Sequence, residues 1–172
     1  MAQRCFGCAA PPTFTVAECK GCLNCVDRCP ASAIVIEPIQ EPYIIEVDSR
    51  QYDQAEIMRI CKKAHIHPKQ LICYCTGARA GEVVAAILKG AKTPDDLSRM
   101  TGVRTGCSVL CAQSVVRLLN AAGLPVIPVT HQTHGKTFTL WDLDPEMKRR
   151  HEERGYHFDD DIKLIETVFE KK

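Results

Sequence analysis

The sequence predicts an α+β chain in three parts. Residues 1–68 combine strand-like runs with a cysteine-rich loop, residues 69–124 place short helices between two close pairs of cysteines, and residues 125–172 form a largely helical tail. Two observations support this division. Apolar and β-branched runs at 13–16, 33–36 and 43–47 indicate short strands, whereas a helical apolar stripe and helix-capping residues mark the middle of the chain.

Composition excludes several classes of protein. The 172 residues include 22 Lys and Arg against 21 Asp and Glu, and a net charge of +1 implies no strong attraction to nucleic acid or to a membrane surface. No apolar run approaches the ~18 residues of a membrane-spanning helix. The N-terminus lacks the pattern of a secretory signal. We therefore expect a cytoplasmic protein that binds no nucleic acid and does not insert into a membrane.

Cysteine content is the outlier, with eleven residues of this type. An odd number and the missing signal argue against a disulfide framework. Closely spaced cysteines in a reducing compartment more often bind metal. Because thiolates oxidise readily when they are left free, so many of them also indicate an anaerobic host.

Two cysteine pairs enclose the middle of the chain. Cys73 and Cys75 are separated by one residue, Cys107 and Cys111 by three, and 31 residues lie between the pairs. Each pair offers two sulfurs from one loop, which suits a site of four thiolates. This spacing, together with the Gly106-Cys107 step, resembles the BFD-like domains of the bacterioferritin-associated ferredoxin family over roughly residues 70–122. The resemblance implies a [2Fe-2S] cluster on these four cysteines.

Three helices are predicted in this part, which makes it an all-α domain. The first covers 81–89 and ends at Gly90, the second begins at the Thr93-Pro94 cap and ends at Gly102, and the third covers 108–120. Their inward-facing apolar residues are Val83, Val84, Ile87, Leu88, Val109, Val115, Val116, Leu118 and Leu119. Arg79 and Arg104 flank the cysteine loops, where we expect solvated side chains. Contact with a cluster sulfur or with a partner's acidic rim is the alternative.

A second cysteine run lies in the N-terminal part. Cys19, Cys22, Cys25 and Cys29-Pro30 follow the C-x2-C-x2-C-x3-C-P pattern, and this part resembles a bacterial [4Fe-4S] ferredoxin. In such two-cluster proteins the cysteine before the proline serves the other cluster, so the fourth ligand here must come from elsewhere. Counting back from Cys61 with the same spacing indicates a degenerate second half-motif. We therefore predict a [4Fe-4S] cluster on Cys19, Cys22, Cys25 and Cys61, with Cys29 as the competing fourth ligand.

Three cysteines remain: Cys5, Cys8 and Cys29. Two interpretations stay open for them. They form a third cluster or metal site, with His65 or His67 as a further ligand, or they are free thiols near the terminus.

The tail has too little apolar surface to be stable alone. It contains the single Trp141 next to Phe138 and a predicted last helix with apolar Ile162, Ile165, Val168 and Phe169 on one side. Such residues either cover the cluster domains or dock on another subunit. An anchoring tryptophan favours a partner, and we expect a hetero-oligomer.

The function implied by these resemblances is electron transfer. The chain has no G-x-G-x-x-G after a strand and no P-loop, so substrate chemistry is expected on a partner. BFD-like domains often accompany flavin-dependent dehydrogenases, which implies a non-catalytic iron-sulfur subunit that relays single electrons to or from a larger flavoprotein. The alternative is a ferredoxin that handles iron or another metal alone. A nucleic-acid-binding redox sensor is disfavoured by the near-zero charge.

Overall fold

The computed structural model describes residues 23–35, 44–107, 109–126 and 139–170. Within them lie seven α-helices and one two-stranded antiparallel sheet. In chain order the elements are α1 (Asn24–Asp27), α2 (Gln54–Lys63), β1 (Leu71–Cys73), β2 (Ala78–Arg79), α3 (Ala80–Lys89), α4 (Pro94–Thr101), α5 (Ala112–Ala121), α6 (Pro145–Glu152) and α7 (Phe158–Glu170). This mixture of helices with a small sheet agrees with the predicted α+β class.

Helix α3 is the centre of the core and contacts α2, α4 and α5. It is rich in small apolar residues, and every residue from Ala80 to Ile87 except Glu82 is buried. Small side chains allow the neighbouring helices to approach closely. The helices that contact α3 contribute larger side chains to the core. These buried residues of α2, α4 and α5 are Ile57, Ile60, Leu97, Val115, Leu118 and Leu119.

The predicted helix signals of α3 and α4 are confirmed. Thr93 forms a capping box with Asp96, and Pro94 occupies the first turn of α4. The helix ends at Gly102, whose φ of 72° lies in the left-handed region that favours glycine. Helix α3 ends at Gly90 as predicted, but Leu88 lies partly exposed, outside the buried stripe.

Two features of the middle part differ from the prediction. This part is not all-α, because β1 and β2 pair Leu71 with Arg79 and Cys73 with Ala78. Helix α5 begins at Ala112, later than the predicted residue 108. Val109 consequently sits in the preceding loop and is 71% exposed instead of facing inward. The Ala112 amide donates to the Val109 carbonyl at 3.1 Å, so residues 109–112 form a tight turn before the helix starts.

The core continues across residue 68, where the sequence predicted a domain boundary. Ile57, Ile60, Cys61 and Ile66 belong to the same buried cluster as the residues of α3 and α5. Arg117 of α5 reinforces this junction, since its guanidinium donates to the carbonyls of Ala64 and His65. Helix α2 therefore packs as part of the body that carries the two cysteine pairs.

Two segments after the predicted ferredoxin motif, where the sequence predicted strands, contain no strand in their described residues. Residues 33–35 and 44–47 are irregular, and α1 is a single helical turn. The predicted strand at 13–16 lies outside the described residues. Among the residues with described structure, none of the helices has both the length and the apolar character needed to cross a membrane.

The described tail contacts the body of the chain through aromatic rings. Trp141, in a 3₁₀ turn at Leu140–Asp142, stacks on His65 with ring centroids 3.6 Å apart and planes inclined by 6°. Phe169 of α7 approaches His67, with centroids 5.8 Å apart. None of the residues in α6 or α7 is buried. Part of the predicted apolar face thus meets this chain itself, while Val168 remains exposed.

Candidate iron-sulfur centre

The first cysteine pair lies on the hairpin formed by β1 and β2. Cys73 ends β1 and is 2% exposed, whereas Cys75 lies exposed in the connecting loop. The loop closes through a hydrogen bond from the Gly77 amide to the Cys73 carbonyl, 2.9 Å long. Gly77 has a φ of 75°, which a residue with a side chain adopts at a cost. The hairpin therefore presents one cysteine to the core and one to solvent.

The second pair frames the start of α5. Cys111 is the N-terminal cap of this helix and is 1% exposed, while Cys107 is exposed in the loop before it. As in the first pair, one sulfur belongs to the core and the other does not. Packing of α5 against α2, α3 and α4 fixes the position of Cys111 relative to the hairpin.

The two loops meet so that cysteines of equal burial become neighbours. The buried thiols of Cys73 and Cys111 are in hydrogen-bond contact with each other. The exposed thiols of Cys75 and Cys107 also interact, and the Cys107 amide lies 3.4 Å from the Cys75 sulfur. The site thus has a buried pair, Cys73 with Cys111, and an exposed pair, Cys75 with Cys107.

Gly106 makes this approach sterically feasible. A Cβ atom at this position would lie 2.5 Å from the Cys75 Cβ and 2.7 Å from its sulfur. Real Cβ contacts are essentially never that short, so only glycine fits without displacing Cys75. The predicted importance of the Gly-Cys step therefore has a steric basis.

Hydrogen bonds and burial give the sulfurs different acidities. Burial raises the pKa of Cys73, but donors from the Thr76 hydroxyl and from the amides of Arg104, Thr76 and Cys75 outweigh it, and the net pKa is lowered. The amides of Leu110 and Val109 lower the pKa of the Cys107 thiol.

Cys111 shows the opposite balance. Burial and the neighbouring Cys73 charge raise its pKa to about 11, although the Arg104 amide opposes the shift. An uncompensated second thiolate beside Cys73 is costly in this core. Binding of a metal cation removes that cost, because the metal charge stabilises both thiolates.

The four sulfurs fit a two-iron cluster. In the part of the chain with described structure, no group of three or more His, Cys, Asp or Glu side chains is arranged around a single metal position. Two adjacent pairs of thiolates are the ligand set that a [2Fe-2S] cluster takes, with two cysteines on each iron. Cys73, Cys75, Cys107 and Cys111 are the residues that would hold it.

The structure describes only some of the cysteines predicted to bind the other clusters. Cys5, Cys8, Cys19 and Cys22 lie outside the described residues. Cys25 and Cys29 are partly exposed around α1, and the Cys29 sulfur accepts the Ala33 amide at 3.3 Å. The [4Fe-4S] site and the third site built on these residues stay predictions.

Cys61, the predicted fourth [4Fe-4S] ligand, is enclosed by the core. Its side chain is 0% exposed, among apolar residues of α2 that include Ile57 and Ile60. Burial raises the pKa of its thiol to about 12, the same direction of shift that burial causes at Cys111.

The two histidines considered for the third site make other contacts. His65 stacks on Trp141, and the His67 Nδ1 accepts the Lys69 amide at 3.2 Å. Burial and the nearby Arg117 charge lower the pKa of His65.

Sequence reasoning missed several residues around the pairs. Thr76 and the Arg104 amide donate to cysteine sulfur, although Arg104 was expected to be solvated. Its side chain is 26% exposed and pairs with Asp95. Tyr74, Val109 and Leu110 are each at least 70% exposed beside the cysteines. The position of Tyr74 between two predicted ligands could have indicated a residue beside the cluster. The amide donors depend on backbone angles that cannot be inferred from the sequence pattern.

Comparison with known proteins assigns this part of the chain. Residues 71–121 match the family model of the BFD-like [2Fe-2S] binding domain. The match includes all four cysteines of the site and leaves residues 1–70 and 122–172 outside it. Neither the curated proteins nor the solved structures gave a match. Residues 71–121 are thereby identified as a BFD-like [2Fe-2S] binding domain, which indicates a role in iron-sulfur electron transfer or iron handling.

Proposed function

We propose that the chain is an electron-transfer subunit that relays single electrons between a larger flavoprotein dehydrogenase and another redox protein. The observation that carries the proposal is the unequal burial of the two cysteine pairs. Cys73 and Cys111 anchor the site in the core, while Cys75 and Cys107 face solvent. A [2Fe-2S] cluster held there supplies one-electron chemistry. A rigid buried half and an open half suit a centre that must exchange electrons with a docked protein.

An exposed apolar surface surrounds the open half. We call Tyr74, Val109 and Leu110 the cluster rim; their exposed fractions are 72%, 71% and 70%. Apolar side chains gathered in this way are typical of interaction sites. A partner that covers the cluster rim would exclude water from the exposed pair and bring its own redox centre close. Because electron transfer falls steeply with distance, such docking has a direct functional consequence.

A flavoprotein is the partner that best complements this chemistry. Nothing in the sequence indicates a nucleotide or flavin site on this chain. A flavin exchanges two electrons with a substrate and can pass them on singly, which is the form that an iron-sulfur centre accepts. The proposed assembly is therefore hetero-oligomeric, with the substrate site on the larger subunit.

The test of this function uses the complex purified anaerobically from the native host. Substrate is mixed with the complex, and the rate of cluster reduction is followed by rapid-freeze EPR. Replacing Val109 and Leu110 by serine should leave the cluster spectrum unchanged. Reduction of the cluster should become at least about tenfold slower, which corresponds to an increase of about 1.4 kcal/mol in activation free energy. The matched control is Leu88→Ser at a partly exposed site on α3. Equal rates in rim variant and control, or a complex without flavin, would refute the proposal.

Iron or metal handling by the chain alone is the second candidate. The exposure of Cys75 and Cys107 favours it, since an open pair also allows metal exchange. A monomeric native protein whose iron passes to a chelator or to an apo-acceptor on mixing, with no flavoprotein attached, would establish this alternative.

For the N-terminal run we propose a [4Fe-4S] cluster on Cys19, Cys22 and Cys25, with a fourth ligand that substitution must decide. The enclosure of Cys61 supports Cys29 over Cys61. Cys61→Ala should then keep the cubane and lower the free energy of unfolding by about 1 kcal/mol, the value of a small buried apolar group. Cys29→Ala should lose the cubane or convert it to a three-iron form. The opposite pattern in EPR of the two variants would restore Cys61 as the ligand.

The tail is proposed to hold this chain against the larger subunit. Trp141 already stacks on His65, but Tyr156, Leu164 and Val168 are exposed and are available to a partner. A chain that ends at residue 129 should keep its [2Fe-2S] spectrum and no longer co-purify with the flavoprotein. Its thermal stability should fall modestly, because the stacking of Trp141 on His65 is lost. Retention of the truncated chain in the complex would show that the tail does not dock it.

A further inference from the structure

His65 follows the end of helix α2 in a backbone conformation that usually belongs to glycine. Its φ is 52°, in the left-handed region, and the two hydrogen bonds of a Schellman motif close the helix end around it. The His65 amide donates to the Lys62 carbonyl at 2.9 Å. The Ile66 amide donates to the Cys61 carbonyl at 3.0 Å. A side chain at this position costs conformational energy that glycine avoids, so the presence of histidine points to a use for its ring.

The backbone around His65 is fixed to the body of the chain. Its neighbours Ala64 and Ile66 are 4% and 1% exposed, which anchors the loop in the core. The Arg117 guanidinium, on α5, donates to the carbonyls of Ala64 and His65. Helix α5 begins directly after Cys111. The imidazole ring is therefore presented from a backbone that is bound to the helix next to one of the predicted cluster ligands.

The tail meets this loop at two points. Trp141 stacks on the His65 ring, with centroids 3.6 Å apart and planes inclined by 6°. Further along the loop, the centroid of the His67 ring lies 5.8 Å from that of Phe169 in α7. The 3₁₀ turn that carries Trp141 also contacts α7. One contact would leave the tail free to rotate, whereas two contacts from one loop fix its direction relative to the body.

We propose that His65 is a positioning residue, whose ring holds Trp141 and thereby fixes the direction in which the tail leaves the [2Fe-2S] domain. The inference rests on the proposed function, in which the tail docks on the larger subunit, and deepens it by naming the residue that orients the two proteins. Tyr156, Leu164 and Val168 are exposed while the stack is closed, so they are available to that subunit. Because electron transfer falls steeply with distance, the direction of the tail determines how well the flavin and the [2Fe-2S] site are placed for it.

The first test measures the stack in the isolated full chain. His65→Gly suits the left-handed angle but removes the ring, and His65→Phe keeps an aromatic ring for stacking. Trp141 is the single tryptophan of the chain, so its fluorescence reports the contact without a label. His65→Gly should shift the emission to longer wavelength and increase quenching by acrylamide, while His65→Phe should keep the protection of the wild type. Equal quenching in wild type and His65→Gly would overturn the proposal, whatever the partner is.

The second test measures cluster reduction by substrate in the native complex, followed by rapid-freeze EPR. His65→Gly should assemble with the flavoprotein and keep its cluster spectrum, because the exposed tail residues and the cysteines are unchanged. Reduction of its cluster should be slower by about tenfold or more, the scale of effect that a small misplacement of reacting groups causes. Trp141→Leu removes the other ring and should give the same slow rate, whereas His65→Phe should retain the rate of the wild type.

Two results in the complex would overturn the positioning role. One is an unchanged rate of reduction in both His65→Gly and Trp141→Leu. The other is loss of these variants from the complex, since His65 is proposed to orient the tail and not to attach it. A wild-type complex that lacks flavin, or whose cluster is not reduced by substrate, would instead overturn the proposed function.

Discussion

Cys107→Ala is expected to abolish the [2Fe-2S] signal of the reduced protein while the helical fold survives. The Cys107 side chain is exposed and outside the core, so its removal takes away a ligand and little packing. Three remaining thiolates do not complete a site that needs four. EPR of the dithionite-reduced variant and its far-ultraviolet circular dichroism should show loss of the signal with helix content unchanged.

Cys111→Ala is the matched comparison. It also removes a ligand, but its side chain is 1% exposed and packs in the core. This variant should also lose the signal. Its free energy of unfolding should be about 1 kcal/mol lower than that of Cys107→Ala, because a small buried group is lost as well. A [2Fe-2S] signal that survives either change, or equal stability of the two variants, would contradict the division into buried and exposed pairs.

Gly106→Ala is expected to remove most of the [2Fe-2S] content although no ligand is changed. The added methyl group would lie 2.5 Å from the Cys75 Cβ, so Cys75 must move away from Cys107. Overpacking of this kind costs about 1–3 kcal/mol, and here the displaced group is a ligand. Iron and acid-labile sulfide per chain, together with the visible absorption of the cluster, measure the loss.

Gly123→Ala provides the control for backbone effects. Gly123 has a φ of 83° and open space around the missing Cβ. The change should cost about 1–2 kcal/mol of stability through left-handed strain and leave the [2Fe-2S] content unchanged. Cluster content that falls equally in both variants would assign the effect to general destabilisation and not to the Cys75 contact.

The helices and the cysteine pairs of the middle part could be predicted because their signals are local. The Thr93 cap, Pro94 and Gly102 each determine backbone geometry within one turn, and the structure has α4 at Pro94–Thr101. Spacing also grouped the cysteines into two close pairs, and the structure brings Cys75 of one pair near Cys107 of the other. These features depend on residues that are near each other in the sequence.

Features that depend on long-range packing were not predictable in the same way. The spacing of Cys61 matched a ferredoxin half-motif, but α2 turns that cysteine into the core against α3 and α5. Trp141 stacks on His65, more than seventy residues earlier in the chain, a contact that no local pattern indicated. Val109 fitted a helical stripe, but it lies in a turn before α5, in which its carbonyl accepts the Ala112 amide. Each of these placements depends on contacts that the local sequence pattern does not contain.

Cys73, Cys75, Cys107 and Cys111 are expected to hold a [2Fe-2S] cluster. The most direct test is EPR of the anaerobically purified, reduced protein, with metal analysis of the same sample. The measurement is made in the Cys25→Ala variant. This variant lacks a proposed [4Fe-4S] ligand, so the [2Fe-2S] cluster should be the remaining centre. The account predicts an axial signal of one unpaired electron per chain, with two irons and two sulfides in that variant. Zinc at full occupancy with no such signal would contradict it.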